Sequence, residues 1–96
     1  MLASNFCVFC HRNSDNLHLK LAGDFDGSSA HQLINTLKEQ NGNVSKIFIH
    51  TCNPSSMDPF ILEVFQKNFS VNKLSDRLTF TGEYSDKMAL EGSRLA

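Results

Sequence analysis

An α/β fold, with a mixed four-stranded sheet and helices packed mainly on one side, is predicted by three stretches of this chain. Leu17-His18-Leu19-Lys20-Leu21 alternates strictly between apolar and polar residues, the period of a strand with one buried face. Ala30, Leu33, Ile34 and Leu37 recur at i, i+3, i+4 and i+7, the stripe of an amphipathic helix. Lys46-Ile47-Phe48-Ile49-His50 is a short β-branched and aromatic run, which suits a strand covered on both faces. These fix the middle of a β-β-α-β-α-β-α order, in which a hairpin feeds right-handed parallel crossovers.

Taken in order, Asn5 to His11 reads as a first strand with Phe6, Val8 and Cys10 on one face and Cys7, Phe9 and His11 on the other. Arg12 to Asn16 is a polar hairpin loop. The second strand, Leu17–Leu21, ends at Ala22-Gly23. A loop from Gly23 to Ser29 leads into the first helix, with Asp26 and Ser28 competing as N-cap. Asn41-Gly42 closes that helix, the glycine being free to turn left-handed. After the third strand, Thr51 to Ser56 is rich in turn formers. Asp58-Pro59 then starts the second helix: the carboxylate accepts from first-turn N–H groups, and Pro loses no hydrogen bond at the first helical position. Ile61, Leu62, Phe65 and Phe69 form its apolar stripe. Ser70 to Asp76 is a polar connection, Arg77–Thr81 a fourth strand stopped by Gly82, and Tyr84–Leu90 a short last helix. The chain is expected to be one domain over 1–96, with its core at 5–90 and a frayed tail at 91–96.

Composition bounds the function. A hydrophobic share of 41% and a charged share of 20% are those of an ordinary globular protein. A net charge of −1 argues against a nucleic-acid binder working by bulk electrostatics. No apolar run is long enough for a membrane helix, so no membrane insertion is expected and the location is expected to be cytoplasmic. Three cysteines cannot close a paired framework, and reduced thiols are expected.

The chain resembles the STAS family, the sulfate-transporter and anti-sigma-factor-antagonist domain. Leu17 through Asp26 is similar to the family's second strand and its Gly-x-Leu/Phe-Asp ending. Ile47–His50 through Met57–Leu62 is similar to its third strand, loop and Asp-Ser-Ser-Gly-Leu helix opening. His50 takes the place of a strand-end Asp, and Asp58 that of the Asp before the regulatory serine. The resemblance covers residues 5–90. It implies a non-catalytic regulatory module that binds a protein partner, such as a GHKL-type kinase/anti-sigma factor, a signalling scaffold or a transport complex. The departure is at the switch. Where antagonists carry the phosphorylated serine this chain has Pro59, followed by Phe60-Ile61 in place of Ser-Gly. Ser55 and Ser56 lie just upstream as the alternative positions for phosphorylation, and read foremost as turn formers.

Other motifs read more simply. Cys7-Val8-Phe9-Cys10-His11 fits C-x-x-C-H, the c-type haem signature, but a strand sends the two thiols to opposite faces. A thioredoxin-like pair would open a helix, whereas a polar hairpin turn follows here, and alternation divides a zinc set of Cys7, Cys10, His11 and His18 between two faces. Cys52 reads as a loop cysteine. His50 and Asp58 are placed to pair across the loop, foremost as a structural hydrogen bond. No nucleophile with a credible base emerges, so no enzyme, metal or cofactor is expected.

The expected partner surface comprises Asp24, Asp26, Gly27, Asn53, Ser55, Ser56, Asp58, Pro59 and Phe60, with Phe60 as the exposed anchor. The alternative is a small-ligand module holding a nucleotide or anion at two helix N-termini, which Asp24, Asp26 and Asp58 oppose by charge. A haem or redox protein through Cys7, Cys10 and His11 is a third reading.

Overall fold

In a computed structural model, which describes residues 5–96 and leaves the side chain of Asn53 outside that description, the chain takes the predicted α/β class with a mixed sheet, of five strands rather than four. Strands β1 (Cys7–Asn13), β2 (Asn16–Phe25), β3 (Lys46–Met57), β4 (Leu78–Thr81) and β5 (Arg94–Leu95) form one sheet in chain order. β1 and β2 are antiparallel; β3, β4 and β5 continue parallel to β2. Helices α1 (Ser29–Gln40), α2 (Pro59–Gln66), α3 (Phe69–Lys73) and α4 (Ser85–Met88) supply the connections.

One face of the sheet holds the core. Leu17, Leu19, Leu21, Ile47, Ile49, Leu78 and Phe80 point to that face and are buried, together with Leu33, Ile34 and Leu37 of α1 and Leu62 and Phe65 of α2. Phe6, Phe25, Phe65 and Phe80 run through it as edge-to-face pairs with ring centroids 5.4, 6.4 and 6.3 Å apart. Each such side chain contributes about 1.5–3 kcal/mol by leaving water.

Several boundaries differ from the expectation. The hairpin loop is two residues, Ser14-Asp15, with Ser14 at φ 58°, a tight turn suited to the strand twist. Asn41 caps α1 in the right-handed region, and Asn43 rather than Gly42 turns left-handed at φ 62°. The stretch predicted as a loop after His50 is strand: β3 runs on to Met57 because β2 runs on beside it to Phe25, with register shifts between Lys20 and Ala22 and between Gly23 and Asp24. Pro54 lies opposite Gly23 between those shifts, where a residue without an N–H is tolerated. Gly23 has φ +90°, and a Cβ there would sit 2.3 Å from the Asn5 carbonyl oxygen.

The predicted second helix breaks. α2 stops at Gln66, Asn68 caps a new helix by accepting from the Val71 N–H (3.1 Å), and Ser70–Lys73 belong to α3 rather than a polar connection. Phe69 therefore leaves the apolar stripe and is 76% exposed. At the chain's end, Arg94–Leu95 pairs with β4 and the Ala96 N–H donates to the Phe80 carbonyl at 3.1 Å, where a frayed tail was expected. The sheet thus gains a fifth strand.

Candidate functional site

The predicted partner surface gathers at the carboxyl end of β2 and β3, where the chain enters α1 and α2. Ser29, fully buried, ties the first junction: its Oγ donates to the Asp24 carbonyl (2.9 Å) and accepts from the Asp26 N–H (3.0 Å), and its own N–H donates to the Asp26 carbonyl at 2.7 Å. This arrangement replaces the expected cap. Ser28 holds the N-cap position of α1 without a side-chain bond, and the Asp26 side chain is not used there. Gly27, at φ +46°, makes the tight turn between them.

The second junction follows the sequence closely. The Asp58 N–H donates to the Phe25 carbonyl (3.0 Å), joining the ends of the two strands. Asp58 Oδ1 accepts from the Phe60 N–H at 2.9 Å, with Pro59 at the first helical position. The α2 N-terminus is therefore filled by its own carboxylate, and an anion placed there meets a like charge. Ser56 Oγ donates to Asp24 Oδ1 at 2.9 Å, bridging the strand ends, while Ser55 is exposed. Asp24, Asp26, Gly27, Ser55, Ser56, Asp58, Pro59 and Phe60 thus lie around one end of the sheet. The backbone of Asn53 pairs with Ala22 in the same region, and its side chain lies outside the described residues.

Phe60 is 71% exposed, and Val64, one turn on, is 46% exposed. Phe69, at the start of α3, carries the Lys73 ammonium 5.4 Å from its ring centroid. Sequence reasoning singled out Phe60 but assigned Phe69 to the core, since only the break at Asn68 turns it outward. At the end of α2 the Lys67 ammonium donates to Glu63 at 2.6 Å, which holds that exposed carboxyl below its usual range. Leu62 and Phe65 face the core, so α2 is apolar on two sides.

His50 does not meet Asp58. The intervening residues extend as strand, and His50 instead joins a group on the uncovered face of the sheet. A His18 Nδ1–His50 Nε2 hydrogen bond spans 2.9 Å, and His50 Nδ1 lies 2.7 Å from Thr81 Oγ1. Burial, then the neighbouring His18 and Lys20 charges, lower the His50 pKa from 6.5. The deeper hydroxyl is that of Thr51, which donates to the Thr81 carbonyl (2.7 Å) and accepts from the Tyr84 N–H (3.0 Å).

Cys7 and Cys10 pair with Ala22 and Leu19 on alternate pleats of the edge strand, so their side chains leave opposite faces. Partial burial, and secondarily the Glu39 carboxylate, push the Cys10 thiol pKa up, which disfavours the reactive thiolate. Cys52 lies in β3 rather than a loop and is exposed; it backs onto Gly82, where a Cβ would come within 2.7 Å of its sulfur. Among the described residues no group of three His, Cys, Asp or Glu side chains is arranged to hold a metal, and no helix is long and apolar enough to cross a membrane.

No protein-family model and no curated protein matches the chain. Among solved structures it is similar to the anti-sigma factor antagonist SpoIIAA in its unphosphorylated form. The TM-score is 0.60 at 18% identity, over 95% of this chain and 86% of that one. The likeness is one of fold, and the fold is STAS-like, as the two sequence motifs implied.

Proposed function

We propose that this chain is a non-catalytic regulatory module that docks a protein partner through the end of the sheet where β2 and β3 feed α1 and α2. The observation that carries this reading is the outward apolar side of α2, where Phe60 and Val64 project at i and i+4 from a helix that already buries Leu62 and Phe65 on its other side. Large exposed aromatics beside a polar rim are the usual anchors of a protein interface. Asp24, Asp26, Gly27, Asn53, Ser55, Ser56, Asp58 and Pro59 form the rim. The STAS-like fold supports a regulatory role, since SpoIIAA is an anti-sigma factor antagonist.

Pro59 removes the phosphorylatable residue from the position where the resemblance places it. Docking is therefore constitutive at that position. Phosphate on Ser56 would break its bond to Asp24 and set two anions side by side, so Ser56 serves as a strand tie. The partner is a kinase-like anti-sigma factor or a signalling scaffold.

The test is quantitative recovery of proteins from the chain's own cells by the wild type, Phe60→Ala and Val64→Ala. A set of proteins depleted about tenfold by Phe60→Ala is the expected result. Equal recovery by all three chains rejects this surface.

A further inference from the structure

The face of the sheet away from the helices is not neutral. Strand register sets its side chains in rows. Phe9, Lys20, His50 and Thr81 form one row; His11, His18, Phe48, Thr79 and Arg94 form the next. Asn13, Asn16 and Lys46 lie beyond them. The rings are organised: His18 stacks on Phe48 at 4.8 Å with 10° between planes, and lies edge to edge with His50, centroids 5.2 Å apart and 2° between planes, through their 2.9 Å ring-nitrogen hydrogen bond. His11 sits 6.3 Å from His18. Phe9, on the edge strand, is 58% exposed.

The charges on these rows have one sign. Lys20, Lys46 and Arg94 are exposed, the charges bearing on His50 are those of His18 and Lys20, and neither row contains a carboxylate. Asp24 lies past the register shift and is engaged by Ser56, and Asp15, in the turn before Asn16, is engaged by the Ser45 hydroxyl at 2.8 Å. A net charge of −1 excludes binding by bulk electrostatics, but here the cations and π-faces are gathered on one surface. A second copy placed face to face would oppose like charges. A purely apolar partner would strand the lysines and Arg94.

We propose that this open face binds single-stranded nucleic acid, with bases stacked on Phe9 and the His11–His18–Phe48–His50 rings and phosphates drawn to Lys20, Lys46 and Arg94. A strand spacing of about 4.8 Å makes the row from His11 to Thr79 roughly 14 Å across, room for two or three bases. Stacking platforms flanked by cations bind single strands with little sequence preference. This site is separate from the α2 surface and goes beyond the docking function.

The experiment is fluorescence anisotropy of the full chain with a labelled uridine oligomer of about twelve nucleotides, over a range of salt. Saturable binding that weakens as salt rises is expected. Phe9→Ala should weaken it by roughly 5- to 100-fold, Phe9→Tyr should restore it, and Phe60→Ala should leave it unchanged. Lys20→Gln should lower the salt dependence by about one phosphate contact. Phe9 is exposed on an edge strand, and circular dichroism verifies that its variants fold. Absence of saturable binding overturns the proposal. So does binding indifferent to Phe9→Ala, and so does equal competition by inorganic polyphosphate or polyglutamate at matched charge, the latter assigning the face to an acidic protein. Loss of oligomer binding in Phe60→Ala alone would move the nucleic acid to α2 and reject the open face.

Discussion

The two faces of this sheet are built from alternate residues of the same strands, and they answer to different demands. On the covered face Leu17, Leu19, Leu21, Ile47, Ile49, Leu78 and Phe80 are essentially out of water. On the open face the intervening residues are His18, Lys20, Phe48, His50, Thr79 and Thr81, which interact through ring stacking and hydrogen bonds. The covered face is where stability is concentrated. The open face, relieved of that role, carries chemistry that a core would not tolerate, since two imidazoles and a lysine need solvent or partners.

The sharpest way to break the contrast is to cut the covered side. Phe65 lies between Phe25 and Phe80 with no exposure, and Phe65→Ala should cost about 3–5 kcal/mol in urea unfolding. A smaller loss would mean that the three rings are less tightly packed than their edge-to-face geometry indicates. Gly23→Ala comes next. It forces a side chain into left-handed backbone and against the Asn5 carbonyl, and should cost about 2 kcal/mol. If it is neutral, β2 ends before Gly23 and the long β3 pairing is wrong. Asp58→Ala should lose about 1 kcal/mol through the α2 cap, whereas Asp58→Asn keeps most of it.

The open face predicts a pH effect instead. His50 has a lowered pKa in the folded chain, so the unfolded chain binds the proton more tightly. Stability from this group is complete above the ordinary value of 6.5 and is lost as pH falls from there through the lowered folded value. Thermal midpoints measured from about pH 7.5 down to about pH 5 should therefore decline, and His50→Gln should flatten that decline. A parallel slope in the variant would assign the effect elsewhere. Smallest of all, Phe9→Ala and Phe60→Ala should change stability by no more than about 0.5 kcal/mol, because both side chains already stand in water.

The contrast also explains what was legible in the sequence. Alternation at Leu17–Leu21 and the stripe at Ala30–Leu37 report burial, so the elements facing the core were predictable. So was the Asp58-Pro59 start, a local signal needing no tertiary partner. The far half of β3 was not, because Pro54 and two serines carry turn propensity, and only the continuation of β2 past Gly23 gives them a ladder. Phe69 was misassigned for a related reason. Its spacing continues the stripe of α2, but the Asn68 cap starts a new helix there. The His18–His50–Thr81 chain required strand register, which brings together residues 32 and 31 positions apart. Local pattern could place His50 only near Asp58. Within the partner surface, the end-of-sheet position of Asp24 and Asp58 was readable. The role of Ser29 as the buried tie was not, since a serine at a helix start looks like a cap.

The proposed docking places a protein partner on α2 and the adjoining strand ends. Hydrogen–deuterium exchange of the whole chain, free and bound to the partner recovered with the wild type, addresses it directly. Slowed exchange confined to Pro59–Gln66 and the Ser55–Asp58 approach is the predicted result. Protection over β1 and β2 at Phe9 and His18, with α2 exchanging as in the free chain, would contradict it.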